Sequence, residues 1–329
     1  MTIKNRMKSF LYQLPKPIIK SFYVIYNQLK YPDMVEQKMS YGSMNGDKVF
    51  YVIRPRTDGI EGLMALFLNA VKQINYAIKK GYIPVIDFEN YKTQYCDENK
   101  KNKNVWEYYF EQISDYSLSE VYQSKKVILS GLSALSKCDS YLDQRMDADS
   151  LKKSRYFIKT YIKPSKDTNE FIEKQVSTIN PEKTLGLYLR GTDYTKLKPA
   201  GHPVQPDVQQ AIVKADEVMQ RNGLEYVFLV TEDADIYKSI KEYYKERLII
   251  VTYDKFISNY KGKSFLSQDY DVITQLSDSP YQRGMNYLAK IILLSKCKCF
   301  VGGNTCGSWA ANVFSDGYIE SYIFNLGLY

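Results

Sequence analysis

The chain of 329 residues is 44% hydrophobic, 25% charged and 14% aromatic, the make-up of a globular protein. At roughly 100–200 residues per domain, its length favours two domains. Its 11 prolines and 17 glycines are too few for a fibrous or low-complexity chain. No apolar run approaches the roughly 18–20 residues of a membrane span.

Cys96, Cys138, Cys297, Cys299 and Cys306 include no CxxC pair and His202 is the single histidine, which argues against disulfide and zinc frameworks. The basic start is followed by an apolar stretch broken at Gln13, Pro15, Lys16 and Pro17, so no signal peptide is read and a cytoplasmic protein is expected. Much of the net charge of +8 sits in residues 1–30, where Lys4, Arg6, Lys8, Lys16, Lys20 and Lys30 meet no acid. Phe10, Leu11, Tyr12, Ile18, Phe22 and Tyr26 are interleaved with them. That composition suits an interfacial helix on an anionic membrane surface, or, more plainly, a basic helix packed on its own domain. Nucleic-acid binding is the weakest of the three readings, and no such partner is expected. Residues 1–45 are read as this basic helical segment.

Residues 48–54 (KVFYVIR) form a β-branched and aromatic strand. A loop with Gly59 and Gly62 then leads into a helix, in which Leu63, Leu66, Phe67, Ala70, Val71, Ile74, Ala77 and Ile78 keep the i, i+3, i+4, i+7 spacing before Gly81 stops it. Residues 82–87 supply a second strand, so this βαβ unit has two parallel strands. Short helices are expected within 105–113 and 118–122, and helical stretches over 145–183 around Pro164. The junction of an N-terminal α/β domain (46–180) with a C-terminal one (181–329) is placed there. Beyond it, strands at 184–190, 226–231, 248–253 and 299–302 alternate with helices at 207–222, 235–244, 285–295 and 308–314. Such alternation means a parallel sheet covered on both faces.

Ligands of open parallel sheets bind beyond the carboxyl ends of the strands. Three loops fall on that rim: Arg190-Gly191-Thr192-Asp193, Thr231-Glu232-Asp233, and Gly302 to Ser308 opening a helix. Small residues and hydroxyls at a helix N-terminus (Asn304, Thr305, Cys306, Gly307, Ser308) gather backbone N–H groups for an anion, and a guanidinium adds a bidentate phosphate donor. Each loop also has a plain reading: a side-chain-closed turn at Arg190–Asp193, a helix N-cap at Asp233, a tight turn at Gly302-Gly303. His202, in Gly201-His202-Pro203, is either packed or beside the anion site. Asp233-Ala-Asp235 offers paired carboxylates for Mg²⁺ or Mn²⁺ on a diphosphate, or simply the cap; no metal site is expected.

The segments Leu185–Asp193, Gly201-His202-Pro203, Val227–Asp233 and Leu293–Ser308 resemble, in order and spacing, the α-1,6-fucosyltransferases with their bacterial nodulation relatives and the wider α-1,2 and protein O-fucosyltransferase group. The resemblance covers roughly residues 184–315. It implies an α/β, GT-B-like enzyme: two Rossmann-like domains with parallel sheets facing across a cleft, and metal-independent, inverting transfer of a sugar, L-fucose from GDP-fucose, to a glycan or lipid-linked acceptor in surface-polysaccharide assembly. The family's essential arginine falls on Arg190, where it would neutralise the leaving diphosphate. Its Thr-Asp falls on Thr192-Asp193, its His-Pro on His202-Pro203, and its donor loop on Asn304–Ser308. Donor contacts are also expected from Gly59, Gly62, Thr231 and Asp233, and catalysis from Arg190 and Asp193.

Three positions depart from the family pattern. Gly191 stands where a second arginine is usual, so neutralisation of the diphosphate is either weaker here or supplied elsewhere, with Arg54 and Arg56 as candidates. The candidate base is missing, so Asp193, Asp207, Asp58 or Glu61 must serve. Lys290 falls near an acidic residue that grips the donor nucleoside. A metal-dependent transferase using Asp233 and Asp235, and a catalytically degenerate nucleotide- or glycan-binding module, are the alternatives.

Overall fold

The structure is a computed structural model that describes residues 34–56, 59–100, 103–262, 264–277 and 279–329. The basic segment 1–30 and Asp58 lie outside the described residues. The chain divides into two units, Met1–Ser165 and Lys166–Tyr329.

In the first unit, β1 (Gln37–Met39) and β2 (Phe50–Ile53) are followed by α1 (Leu63–Lys79), β3 (Ile83–Ile86), α2 (Leu118–Val121), β4 (Val127–Leu129) and α3 (Ala148–Tyr161). The sheet order is β1-β4-β2-β3, with β2 parallel to β3 and β4 and only β1 antiparallel. The spacing read from the sequence is the buried face of α1: Leu63, Leu66, Phe67, Ala70, Val71, Ile74 and Ala77 are all inside. Each large side chain among them contributes about 1.5–3 kcal/mol by leaving water. Gly81, at φ +71°, takes the left-handed turn that releases the chain into β3. Phe50, Val52, Val85, Val127 and Leu129 form a second core on the opposite face, roofed by Tyr116, Leu118 and Tyr122.

The second unit runs α4 (Lys166–Val176), β5 (Thr184–Tyr188), α5 (Thr192–Leu197), α6 (Val208–Asn222), β6 (Tyr226–Val230), α7 (Ala234–Tyr244), β7 (Leu248–Ile249), α8 (Tyr270–Ile273), α9 (Pro280–Lys296), β8 (Cys299–Gly303), α10 (Cys306–Phe314) and β9 (Glu320–Phe324). Its sheet, β7-β6-β5-β8-β9, is parallel throughout. Alternate residues Leu185, Leu187, Val227, Leu229 and Val301 pack with Ala211, Ile212, Ala215 and Val218 of α6. On the other face Gly186 has no side chain, so Leu294 and Cys297 at the end of α9 come against the strand; a Cβ there would stand 3.0 Å from Leu294. The chain moves outward from β5 to β6 and β7, then returns to its other side for β8. The switch point therefore lies between the ends of β5 and β8.

The α/β class and the parallel sheets expected are present in each unit, with three corrections of extent. The boundary falls at Ser165/Lys166 and not at 180/181, because α4 packs on α9 of the second unit. Residues 37–39, assigned to a helical segment, are β1, held by pairing with β4. The strand expected over 248–253 stops at Ile249, where the chain turns; the Asp254 amide bonds the Val251 carbonyl at 3.1 Å.

Candidate functional site

At the switch point the chain leaves β5 through one last sheet bond, Leu189 N–H to the Val230 carbonyl (3.0 Å), and Arg190 follows. The Arg190 side chain is 18% exposed. One terminal nitrogen donates to Asp193 Oδ1 at 2.7 Å, and the other lies 3.3 Å from Glu232 Oε2. The guanidinium also lies over the Tyr194 ring, 5.1 Å from its centroid. Burial works against its charge, yet the Glu232 and Asp193 carboxylates outweigh burial and hold it more firmly protonated than an ordinary arginine.

The two residues after Arg190 are locked to the next strand. Glu232 Oε1 accepts from the Gly191 amide (3.0 Å) and the Thr192 hydroxyl (2.8 Å), while Asp233 Oδ2 accepts from the Thr192 amide (3.0 Å). Thr192 is held at φ +41°, a left-handed conformation costly for a β-branched residue. Gly191 is required by contact: a Cβ would stand 2.4 Å from Asp233 Oδ2. The Asp233 side chain thus leaves no room for a side chain at position 191. Asp233 Oδ1 meanwhile caps α7 through the Asp235 and Ile236 amides. Cap and site readings of this residue are one arrangement, with an oxygen for each. The buried Thr231 hydroxyl accepts from the Asp233 amide at 3.2 Å.

Asp193 is 4% exposed and heavily engaged. Besides Arg190, its oxygens accept from the Tyr194 amide (3.0 Å) and the Leu266 amide (3.2 Å), and Oδ1 lies 3.3 Å from the Thr192 hydroxyl oxygen, whose hydrogen goes to the nearer Glu232. Its geometry is that of an orienting group for Arg190. Among the other candidate bases, Asp207 caps α6 in a reciprocal box with Gln210. Glu61, in the first unit, accepts from the Asn69 side chain at 2.6 Å.

The loop after β8 closes the other side of the switch point. Thr305 caps α10 by accepting from the Ser308 amide (3.1 Å), and the Ser308 hydroxyl donates to the Gly303 carbonyl. Gly307 has no space for a side chain, since a Cβ would lie 2.6 Å from the Tyr188 hydroxyl and 2.7 Å from that of Tyr287. Those hydroxyls bond each other at 2.9 Å. Gln205 joins this loop to the His-Pro segment, donating to the Pro203 carbonyl (3.0 Å) and more weakly to that of Asn304 (3.4 Å). His202 packs its ring between Tyr194 and Phe265, each 5.6 Å away, and its carbonyl accepts from the Tyr329 amide.

The structure therefore brings Arg190, Thr192, Asp193, Thr231 and Asp233 into one knot, reaches His202 through Tyr194, and sets Asn304–Ser308 beside Tyr188. Cys306 is the first helical residue of α10. Gly59 and Gly62 belong to the first unit, in the loop that the Gln94 side chain fastens ahead of α1. Arg54 is unsuited to replace the missing arginine: its guanidinium is 2.5 Å from the Ser130 carbonyl and 3.4 Å from that of Val35. Lys290 pairs with Asp254 (2.5 Å), whose side chain is 1% exposed, whose carboxyl is pushed up by burial against the pull of Lys290, and whose Oδ2 has no hydrogen-bond partner. Among the described residues, no group of three or more His, Cys, Asp or Glu is placed to hold a metal ion.

Glu232 joins this knot, although the sequence singled out only its neighbours Thr231 and Asp233 as candidates. Its position after an apolar strand, between two candidates, was the available signal. Gln205 had no comparable signal, since its partners are carbonyls of distant loops.

No protein-family model matches the chain, and no curated protein matches it. Among solved structures it is similar to NodZ α-1,6-fucosyltransferase soaked with GDP-fucose, with 14% identity over 82% of this chain and 93% of that one and a TM-score of 0.46. Fucosyltransferase NodZ from Bradyrhizobium gives 12% identity, 77% and 88% coverage, and a TM-score of 0.41. POFUT1 in complex with GDP-fucose gives 10% identity, 86% and 99% coverage, and a TM-score of 0.47.

Proposed function

We propose that the chain is a fucosyltransferase-like glycosyltransferase of GT-B architecture, transferring a sugar with inversion, L-fucose from GDP-fucose, to an oligosaccharide or lipid-linked glycan in surface-polysaccharide or glycoconjugate assembly. The observation that carries this reading is Arg190: a guanidinium at the switch point of a doubly wound sheet, held in a fixed orientation by Asp193 and Glu232 and flanked by the α10 N-terminus. Such a fork suits a diphosphate, and the first amides of α10 suit its outer oxygens. As the anomeric bond breaks, charge grows on the leaving phosphate, where Arg190 stabilises it without a metal. An acceptor hydroxyl attacks from the opposite face and a carboxylate takes its proton. Asp193 acts by orienting Arg190. The basic segment 1–30 holds the enzyme peripherally at the inner face of the membrane.

Thermal shift of the purified protein against GDP, UDP, dTDP and CMP, with and without Mg²⁺, tests the donor. GDP at 100 times its Kd is expected to add ~2.7 kcal/mol of stability regardless of metal, followed by GDP release from GDP-fucose. A response only in the presence of Mg²⁺ would favour the metal-dependent alternative, and nucleotide binding without turnover the degenerate module.

A further inference from the structure

We infer that Glu232 is the proton carrier of the anion site: it takes a proton from solvent on Oε2 as a diphosphate docks on Arg190, and returns it when the diphosphate leaves. The inference rests on the donor reading above and adds a residue role to it. Both terminal nitrogens of Arg190 already face carboxylates, Asp193 at 2.7 Å and Glu232 at 3.3 Å, so these three side chains sum to one negative charge. A diphosphate drawn to the guanidinium would bring its own negative oxygens against those carboxylates. One of them must be neutralised or displaced.

The hydrogen bonds decide which. Asp193 uses both oxygens as acceptors, Oδ1 for Arg190 and the Tyr194 amide and Oδ2 for the Leu266 amide, and is 4% exposed. A proton there would have to break into that set. Glu232 divides its work differently: Oε1 holds the Gly191 amide and the Thr192 hydroxyl, and Oε2 meets Arg190. Once phosphate replaces Glu232 as the partner of that guanidinium nitrogen, Oε2 can carry a hydrogen and donate it to a phosphate oxygen. The Gly191 and Thr192 bonds stay intact. An acceptor beside the anion thereby becomes a donor.

The surroundings agree in sign. The titratable and charged groups that act on Glu232 are Arg190, Asp193 and Tyr188 at the end of β5, with Asp233 next to it on its own loop, while Tyr194 and Tyr260 act on Arg190 and Asp193. Burial already pushes the Glu232 carboxyl up, with Asp193 adding to it, and Arg190 is the largest influence opposing this, ahead of the Thr192 hydrogen bond. An anion that neutralises Arg190 weakens the opposition and raises the carboxyl further, so binding takes up a proton and weakens as pH rises.

Titration calorimetry at neutral pH, in buffers of different ionisation heat, measures that uptake on the wild-type protein with GDP and with inorganic pyrophosphate as probes. Wild type is expected to take up more protons than Glu232→Gln with each probe, and its affinity to fall more steeply as pH rises. GDP and pyrophosphate carry phosphates that themselves titrate near neutrality, so the readout is a difference between proteins: Glu232→Gln, checked for folding by circular dichroism, should take up fewer protons per site than wild type and lose that part of the pH dependence. Equal proton exchange in wild type and Glu232→Gln would overturn the inference while leaving the donor reading intact. A wild-type excess of uptake with pyrophosphate or UDP but no GDP binding would support the inference and overturn the guanosine donor. Absence of binding by every probe would overturn both.

Discussion

Two arginines occupy the same topological place in the two units. Arg54 follows β2 and Arg190 follows β5, each beyond the first strand from which its parallel sheet grows to both sides. Their partners separate them. Arg54 is 4% exposed, donates to backbone carbonyls of Ser130 and Val35, and lies over Tyr91. Arg190 is bound by two carboxylates beside a helix N-terminus. Carbonyls tie an arginine into the fold, because leaving them unbonded inside the protein would itself cost free energy. Carboxylates orient an arginine and can trade it to an anion of higher charge. Position on a sheet nominates a residue, and the chemistry of its partners assigns its work.

The sharpest way to break this comparison is to truncate both arginines. Arg190→Ala should lower sugar transfer or GDP-fucose hydrolysis by at least about 100-fold, ~3 kcal/mol, with a melting temperature within a few degrees of wild type. Arg54→Ala should do the reverse, costing roughly 2–4 kcal/mol of stability by denaturant unfolding while the folded fraction keeps its turnover. An active Arg190→Ala enzyme would remove the site from the second unit. Arg190→Lys should recover little, because the ammonium cannot span Asp193, Glu232 and a phosphate with one planar fork.

Gly191→Ala probes the lock next to Arg190. The added Cβ meets the Asp233 carboxylate, so either the Thr192 turn or the α7 cap must yield, and a loss of about 1–3 kcal/mol with weakened GDP binding is expected. Adding Asp233→Ala should relieve the clash at the cost of the cap, about 1 kcal/mol. A double variant no better than Gly191→Ala would show that the glycine serves something other than this contact.

The sequence was most informative where one face of an element decides its neighbours. The apolar spacing of α1, the short apolar runs of β2, β5 and β6, and the loop Arg190–Asp193 could all be read directly, because burial imposes a period on the chain. β1 and β9 could not: their residues are largely exposed, and pairing with a distant strand is what makes them strands. The start of α9 lies at Pro280, five residues ahead of the expected 285, although Ser279 as cap and Pro280 in the first turn were a readable signal. The site followed the same rule. Arg190, Thr192 and Asp193 announced themselves in one loop, whereas the second carboxylate on Arg190 depended on β6 lying beside β5.

The smallest expected effect addresses which unit supplies the proton acceptor. Asp207 has an exposed carboxylate close in sequence to the His-Pro loop, but its Oδ1 is spent on the Gln210 amide at 2.8 Å and its own amide accepts no role in catalysis, being held by the Gln210 side chain. Asp207→Asn separates the two functions, since asparagine caps a helix about as well as aspartate but cannot take a proton from a hydroxyl. Stability should change by only a few tenths of a kcal/mol, and turnover should stay within about twofold of wild type. Glu61→Gln, made in parallel, keeps an acceptor for Asn69 while removing the carboxylate from the first unit. A loss of turnover in Glu61→Gln alone would give the base to the first unit. A loss in Asp207→Asn alone would assign proton removal to Asp207.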